Sequence, residues 1–238
     1  MSTQVAILAA GLGTRLGRPL PKPLTRLTTS ETIMARQLSC LRSALGEDTR
    51  INVVVGFKHA LIMEAAPDVT FAYNEVFDQT NTCKSLLKAL RLSADGGVQW
   101  LNGDVVFHSE LMSSLLPELD RGQSFVCVNT SSVAEEEVKY TLDANGYISA
   151  LSKQVVGALG EAVGINYVSA ADKADLIGCL DECAPEDYFE RGIEMAIAGH
   201  GQRWRAVDIS TYDCVEVDFE DDLRAANALL DGTAGTTP

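Results

Sequence analysis

A glycine-rich segment near the start of the chain combines residue types that suit phosphate binding. The apolar run Val5 to Ala10 leads into Gly11, Gly13 and Arg15, and Lys22 follows between two prolines. Glycines let backbone N–H groups converge on phosphate oxygens, because no Cβ stands in the way. An arginine grips such oxygens with a planar fork, and a lysine adds a compact charge. The flanking prolines restrict the backbone around Lys22 and so aim its side chain.

This segment differs from two common phosphate-binding motifs. A P-loop needs Gly-x-x-x-x-Gly-Lys-Ser/Thr, and the dinucleotide fingerprint needs a glycine or alanine where Leu16 stands. A glycine turn with solvated cations is the plainer alternative. It accounts for the glycines but not for the prolines on both sides of Lys22, so the segment favours a phosphate-binding loop.

The stretch "LAAGLGTRL…PKPL" resembles the signature of nucleotidyltransferases, which activate sugar phosphates, phosphocholine and related compounds with a nucleoside triphosphate. The resemblance extends from Val5 to about Leu230. It implies that the glycine loop wraps the triphosphate and that Arg15 and Lys22 contact its phosphates. The loop residues implied to bind the nucleotide are Ala9, Ala10, Gly11, Leu12 and Gly13.

Two aspartates far apart in the chain are candidate magnesium ligands. Nucleotidyl transfer brings two anions together, and Mg²⁺ held by carboxylates is the usual way to offset their repulsion. Asp104, in "WLNGDVVF", and Asp218, in "VEVDFEDDL", resemble the family positions that hold Mg²⁺ at the α-phosphate. A turn carboxylate at Asp104 and a helix N-cap at Asp218 are the structural alternatives. Glu216 shares a strand face with Asp218, so it is either a ligand of the metal or acceptor or an exposed carboxylate.

The segment "YNEVFDQTNTCKSL", from Tyr73 to Leu86, bears on the choice of substrates. It is similar to the "N…Y…NN..SL" segment of bacterial phosphocholine cytidylyltransferases and the related phosphonate cytidylyltransferases. The resemblance implies that Asn81 and Ser85 contact the base and ribose, whereas a helix cap at Asn81 is the alternative. The Gln-x-x-Gly-Thr-Ala segment usual in sugar transferases does not occur here.

Shorter matches to the same enzymes name candidate acceptor-binding residues. Lys153, in "ISALSK", is implied to bond the acceptor phosphate or the α-phosphate, and Glu161, in "GEAVGI", to bear on the acceptor. Tyr188 and Glu190, in "DYFERGIEMAI", are implied to form part of an acceptor pocket, where aromatic and acidic groups suit choline or another amine. Asp208, in "AVDIS", is implied to approach the second-metal region. The alternatives are a surface lysine at Lys153 and a core helix whose Glu190 faces water.

The resemblance implies a cytidylyltransferase that moves CMP from CTP to a small phosphorylated or phosphonate acceptor, with Mg²⁺ as cofactor and pyrophosphate as product. The acceptor is already an anion, so no general base is required. One alternative is a sugar-1-phosphate nucleotidyltransferase using UTP or dTTP. Another is a relative that binds nucleotides without catalysis.

Composition excludes several other classes of protein. The 238 residues include 19 lysines and arginines against 33 acidic residues, which gives a formal charge of −14. Such an acidic chain is unsuited to non-specific binding of nucleic acid or of an anionic membrane. No signal peptide or membrane span is evident, and the six cysteines do not form zinc-type pairs. We therefore expect a cytoplasmic protein with reduced, mostly buried thiols.

The elements that must position these residues predict an α/β fold, a single-domain, Rossmann-like three-layer sandwich with a mixed, mostly parallel sheet. Continuously apolar strands alternating with amphipathic helices indicate a sheet covered on both faces. The predicted strands of the first half are 5–10, 51–55, 69–73, 98–101 and 124–128, and its helices are 31–45, 82–92 and 109–119. The second half comprises a hairpin over 139–153 turning at Asn145-Gly146, strands 164–169, 204–207 and 214–219, and helices 171–182, 187–198 and 220–230. The nucleotidyltransferase domain is predicted to span 1–230, followed by a disordered tail at 231–238.

Overall fold

The computed structural model describes residues 4–131, 133 and 136–232. The strands in this part of the chain are β1 (Gln4–Ala9), β2 (Arg50–Val55), β3 (Thr70–Tyr73), β4 (Val98–Asn102), β5 (Val105–Phe107), β6 (Phe125–Asn129), β7 (Lys139–Leu142), β8 (Ile148–Ser152), β9 (Gly160–Val168), β10 (Arg205–Asp208) and β11 (Cys214–Glu216). The helices are α1 (Ile33–Leu45), α2 (His59–Ala65), α3 (Thr82–Leu92), α4 (Leu111–Ser114), α5 (Leu116–Asp120), α6 (Lys173–Glu182), α7 (Phe189–His200) and α8 (Glu220–Leu230).

The strands form one large mixed sheet and one small ribbon. In the described part of the chain, the large sheet runs in the order β10-β6-β9-β4-β1-β2-β3, with β7 and β8 attached through β9. β1 pairs in parallel with β2 and β4, β2 with β3, and β6 with β10, whereas β9 runs antiparallel to β4 and β6. The mixed, mostly parallel α/β fold predicted from the sequence is confirmed.

Strand β1 shows why the apolar runs are continuous. Val5, Ile7 and Ala9 pack into one core cluster, together with residues of α1, α2 and α4. Ala6 and Leu8 point to the opposite face and pack into a second cluster with residues of α3, α6 and α7. Successive side chains of a strand alternate between the faces of the sheet, so a central strand covered on both sides must be apolar throughout.

The predicted helix over 109–119 is wrong as a single element. It is two short helices, α4 and α5, that meet at Leu115. Pro117 lies in the first turn of α5, where its missing N–H is tolerated, but it cannot continue an α4 hydrogen-bond ladder.

One other predicted strand differs from the structure, whereas the predicted hairpin is present. The strand expected over 214–219 ends at Glu216, and its partner β5 follows β4 after a two-residue turn. The hairpin of β7 and β8 turns over residues 143–147, where the Asp143 carboxylate accepts hydrogen bonds from the N–H groups of Asn145 and Tyr147. Gly146 supplies the positive φ of 82° that the turn requires.

The expectation of mostly buried thiols is confirmed, since five of the six free cysteines are buried and Cys214 is half-buried. At the end of α8, Asp231 and Gly232 form a turn, and the rest of the predicted tail, 233–238, lies outside the described residues. Among the described residues, no helix is both long and apolar enough to cross a membrane.

Candidate active site

A cavity of about 490 Å³ opens at the carboxyl ends of β1 and β4. This edge of a parallel sheet is where open α/β folds place ligands, because the loops that follow the strands converge there. Segments from across the chain line it, namely the glycine loop after β1, residues 77–82, the β4–β5 turn, residues 136–138, Lys153, residues 188–190 and the end of β11 with the start of α8.

Two glycines in or next to the glycine loop adopt a positive φ. Gly13 has a φ of 63°, and Gly17, on the far side of a 3₁₀ turn over Thr14–Leu16, has a φ of 66°. A Cβ on Gly13 would lie 2.8 Å from Cγ of Lys22, so the lysine side chain passes directly beside this glycine. Gly11 does not adopt a positive φ. The positive φ that glycine tolerates is therefore adopted at Gly13 and at Gly17, which the sequence did not single out.

The predicted cations and aspartates meet in one cluster inside the cavity. The Lys22 ammonium lies 3.0 Å from the Asp104 carboxylate and also pairs with Asp218. The Arg15 guanidinium lies 2.7 Å from the other oxygen of Asp218. Burial alone lowers the pKa of Lys22, but the two aspartates outweigh it and raise the pKa above its usual value. Lys22 is therefore held as a cation.

The small ribbon of β5 and β11 brings the two aspartates together. Glu216 pairs with Val105 in antiparallel register, and the Val217 N–H donates to the Asp104 carbonyl at 3.0 Å. This register sets the residues that follow β11 beside the turn that follows β4. It explains how carboxylates 104 and 218 share one lysine.

Each aspartate sits on a backbone that is tightly fixed. Asp104 follows Gly103, where a Cβ would lie 2.8 Å from the Leu8 carbonyl oxygen, so only glycine fits without a shift. Asp218 precedes α8, whose N-cap is Phe219, so the N-cap alternative for Asp218 is wrong. The Asp222 carboxylate accepts from the N–H groups of residues 218 and 219 at 3.0 and 2.7 Å, and thus anchors the segment that carries Asp218.

Glu216 is half-buried against the same cluster, which overturns the alternative of an exposed carboxylate. It accepts a hydrogen bond from the Asn102 amide at 3.3 Å. Burial, together with the nearby charges of Asp104, Glu137 and Asp218, raises the pKa of Glu216 well above its ordinary range.

The donor set at Asp104 and Asp218 fits Mg²⁺. Both side chains present hard carboxylate oxygens to the Lys22 ammonium, and Asp218 also pairs with Arg15. The described residues contain no group of three or more histidine, cysteine, aspartate or glutamate side chains arranged for a metal. Mg²⁺ is usually held by one or two carboxylates with waters and substrate phosphates, so a pair of aspartates suits it better than a closed cage would.

Lys153, Tyr188, Glu190 and Glu137 line the same cavity. The Lys153 ammonium lies 5.0 Å from the centre of the Tyr188 ring, whose side chain is exposed. Glu190, at the start of α7, is 7% exposed, and its Oε2 has no hydrogen-bond partner among the described residues. Burial raises the pKa of Glu190 to about 7. Burial and the neighbouring Glu161 charge also raise the pKa of Glu137. The alternative in which Glu190 faces water is wrong.

Asn81 and Ser85, the predicted base and ribose contacts, occupy different environments. Asn81 lines the cavity and caps α3, accepting from the Thr82 N–H at 2.8 Å, so the cap alternative is confirmed without removing Asn81 from the site. Ser85 is buried one turn further along, where it accepts from the Asn74 amide at 3.2 Å. Ser85 is not one of the described residues that line the cavity.

Three more predicted residues lie away from the described cavity wall. The Asp208 carboxylate binds Thr130 and Ser210 on the surface. Ala10 is buried, and its carbonyl accepts from the Phe57 N–H at 3.1 Å. Glu161 lies on β9 beside the lining residue Ala162 and acts on the cavity through its charge on Glu137.

The sequence did not single out Asn102, Glu137 and Phe219, which the fold places at the cavity. Phe219 is half-exposed, and the Arg15 guanidinium lies 6.0 Å from its ring centre. Asn102 stands just before the Gly-Asp pair and could have been found from its position at a strand end. Glu137 had no such signal, because it lies in an irregular segment between β6 and β7.

Sequence comparison with known proteins gives a family model and several relatives. Residues 5–173 match the model of the MobA-like NTP transferase domain. The chain is 26% identical to the CMP-5′-(3-aminopropyl)phosphonate synthase of Streptomyces rubellomurinus, over 94% of this chain and 38% of that protein. It is 35% identical to the bifunctional protein GlmU of Pseudomonas aeruginosa, over 83% of this chain and 45% of that protein. The chain therefore spans less than half the length of these curated relatives.

Solved structures share the whole fold. The inositol-1-phosphate CTP transferase from T. maritima superposes with a TM-score of 0.79 at 16% identity, covering 100% of this chain and 99% of that one. The CTP:phosphocholine cytidylyltransferase LicC from Streptococcus pneumoniae superposes with a TM-score of 0.73 at 18% identity, covering 97% and 100%. The predicted resemblance to nucleotidyltransferases is thus confirmed, and the chain belongs to the family of the MobA-like NTP transferase domain.

Proposed function

We propose that this nucleotidyltransferase moves CMP from CTP to a small phosphate or phosphonate acceptor that carries an amino group, and releases pyrophosphate. The observation that carries the proposal is the contact of Lys22 and Arg15 with Asp104 and Asp218 at one edge of the sheet. Cations that bind the triphosphate and carboxylates that hold a metal must face the same site to act on one phosphorus atom. The preference for CTP is supported by the relatives, three of which have names or titles containing CMP or CTP.

In the proposed reaction, an acceptor oxygen attacks the α-phosphorus of CTP. The bond from that phosphorus to the bridging oxygen of pyrophosphate breaks, and pyrophosphate leaves with the electron pair. Arg15 and Lys22 bind phosphate oxygens and offset the charge of the leaving group. Asp104 and Asp218 would hold Mg²⁺, which when bound supplies positive charge at the α-phosphate. No side chain is needed to remove a proton, since the acceptor oxygen is already ionised.

The part of the cavity around Lys153 suits a zwitterionic acceptor. The Lys153 ammonium, beside Tyr188, offers a charge for the acceptor anion. Glu190 and Glu137 line the same cavity, and the buried Oε2 of Glu190 has no hydrogen-bond partner among the described residues. An ammonium group of the acceptor would supply that partner. A polyol phosphate such as inositol 1-phosphate offers no cation to this buried carboxyl, so an amine-bearing acceptor gains a charge pair that the polyol phosphate does not.

The test is a pyrophosphate-release screen of the full chain with Mg²⁺ and each of the four common ribonucleoside triphosphates and dTTP. The acceptors are phosphocholine, 2-aminoethylphosphonate, 3-aminopropylphosphonate, inositol 1-phosphate and glucose 1-phosphate. We expect turnover with CTP and an amine-bearing acceptor. Turnover with UTP or dTTP and glucose 1-phosphate would establish the sugar-nucleotide alternative, which the 35% identity to GlmU keeps in the screen. Nucleotide binding without any product would establish a non-catalytic relative.

A further inference from the structure

Gln37 of α1 has a fully buried side chain that holds both ends of the β4–β5 turn. It is 1% exposed, and its Nε2 donates to the Asn102 carbonyl at 2.9 Å and to the Val105 carbonyl at 2.8 Å. Asn102 is the last residue of β4, and Val105 is the first of β5. The turn between them consists of Gly103 and Asp104. The Gln37 amide therefore bonds the backbone on both sides of the aspartate that pairs with Lys22.

The same turn is tied down on its other sides by backbone hydrogen bonds. The Gly103 N–H donates to the Leu8 carbonyl at 2.9 Å, and the Asp104 carbonyl accepts from the Val217 N–H at 3.0 Å. These bonds join the turn to β1 and to the segment that carries Asp218. Gln37 supplies the side-chain restraint, and without it the carbonyls of residues 102 and 105 would lose these donors.

The other atom of the Gln37 amide argues against a purely packing role. Its Oε1 is buried and has no hydrogen-bond partner among the described residues. An unpaired buried oxygen destabilises a fold, and an apolar side chain of similar size would avoid that cost. The two donated bonds are what distinguish the glutamine from such a residue.

We propose that Gln37 is a positioning residue that fixes Asp104 for metal binding. The inference rests on the proposed function, since it takes Asp104 as a ligand of Mg²⁺. Hydrogen bonds that orient a metal-ligating group typically change metal affinity or activity by about 10- to 100-fold when they are removed. Replacing Gln37 should therefore weaken metal binding. The side chains that line the described cavity wall would stay the same, because Gln37 is not one of them.

Gln4 offers a matched control on β1. It is 7% exposed, and its Nε2 donates to the Ala94 and Asp95 carbonyls at 3.0 and 3.1 Å. Its Oε1 also accepts from the Ala94 N–H at 2.7 Å. Gln4 therefore restrains the loop that precedes β4, with one hydrogen bond more than Gln37 makes to the turn that follows it. Gln4→Met should lower the free energy of unfolding, as Gln37→Met does, but it should leave Asp104 in place.

The experiment measures Mn²⁺ binding by electron paramagnetic resonance in the presence of the α,β-methylene analogue of CTP, which is not cleaved. Folding of each variant is checked by circular dichroism and thermal unfolding. We expect Gln37→Met to weaken Mn²⁺ binding by 10-fold or more and Gln4→Met to change it by less than about 2-fold. Gln37→Glu, which keeps the shape and retains one donor while protonated, should give an intermediate loss, and it serves in place of Gln37→Met if the latter does not fold.

The outcomes separate the two proposals. Equal Mn²⁺ affinity in the wild type and in a folded Gln37 variant overturns the positioning role and leaves the proposed function standing. An equal loss in the Gln4 and Gln37 variants also overturns it, because the effect would then follow stability alone. If the wild-type chain binds no Mn²⁺ with the nucleotide analogue and gives no turnover in the acceptor screen, the proposed function fails and the inference fails with it.

Discussion

The buried carboxyl of Glu190 is expected to make the stability of the protein fall as the pH rises toward neutrality. The side chain is 7% exposed, and one of its oxygens has no partner among the described residues. Burial raises its pKa from 4.5 to about 7, although the backbone N–H of Glu190 and the charge of Lys153 oppose the shift. The folded state therefore keeps a proton that the unfolded chain releases.

The magnitude follows from the difference between the two pKa values. A shift from 4.5 to about 7 corresponds to about 3 kcal/mol at most, at about 1.4 kcal/mol per unit. Below pH 4.5 both states are protonated and there is no penalty. As the pH rises through 4.5 and then 7, the unfolded state binds fewer protons than the folded state, so stability is progressively lost. The expected penalty is about 1 kcal/mol at pH 5 and about 3 kcal/mol at pH 8.

Glu190→Gln removes the titrating group and retains its shape. The free energy of unfolding is measured with urea at several pH values between 5 and 8. The difference between the variant and the wild type should be about 2 kcal/mol larger, in favour of the variant, at pH 8 than at pH 5. Glu186→Gln, at an exposed position in the same segment, makes the same charge change and should alter stability by less than about 0.5 kcal/mol at each pH. A Glu190→Gln effect that does not vary with pH would refute the reasoning, as would a variant less stable than the wild type at pH 8.

The remaining predictions concern catalysis, the acceptor and the turn at the site. Lys22→Ala and Asp104→Ala should each lower kcat for pyrophosphate release by at least about 100-fold, because each removes charge that faces the reacting phosphates. Glu190→Gln should raise KM for an amine-bearing acceptor and leave KM for inositol 1-phosphate unchanged, and the wild-type KM for the amine should fall as the pH rises past 7. Gly103→Ala should lower the free energy of unfolding by about 1–3 kcal/mol, because its Cβ would lie 2.8 Å from a β1 carbonyl. Gly178→Ala, in open space on α6, should instead raise it by about 0.5–1 kcal/mol.

Each of these predictions has a result that contradicts it. Near-normal turnover by either the Lys22 or the Asp104 variant, with circular dichroism matching the wild type, would remove that residue from the proposed mechanism. Equal KM changes for both acceptors would show that Glu190 does not recognise the amine. Equal stability changes for the two glycine variants would show that the close contact at Gly103 is not what requires glycine there.

Local sequence patterns predicted much of the fold and the residues proposed to bind the triphosphate. A continuously apolar strand such as β1 must lie inside a sheet covered on both faces, because its side chains alternate between them. The glycine loop and Lys22 lie within 12 residues of one another, between positions 11 and 22. Their residue types, together with the prolines that flank Lys22, indicated a phosphate-binding loop. Pro117 shows the limit of such patterns, since periodicity predicted one helix where the proline begins a second.

The sequence alone therefore determined the alternation of strands and helices and the residues whose types suit triphosphate binding. Tertiary structure decided which distant residues join them. The register of β5 with β11 brings Asp218 to Asp104, packing buries Glu190 and Gln37, and the same packing places Ser85 and Asp208 away from the described cavity wall. Periodicity reports the environment of neighbouring residues, whereas strand register and burial depend on contacts between segments more than 100 residues apart, such as Val217 with Asp104.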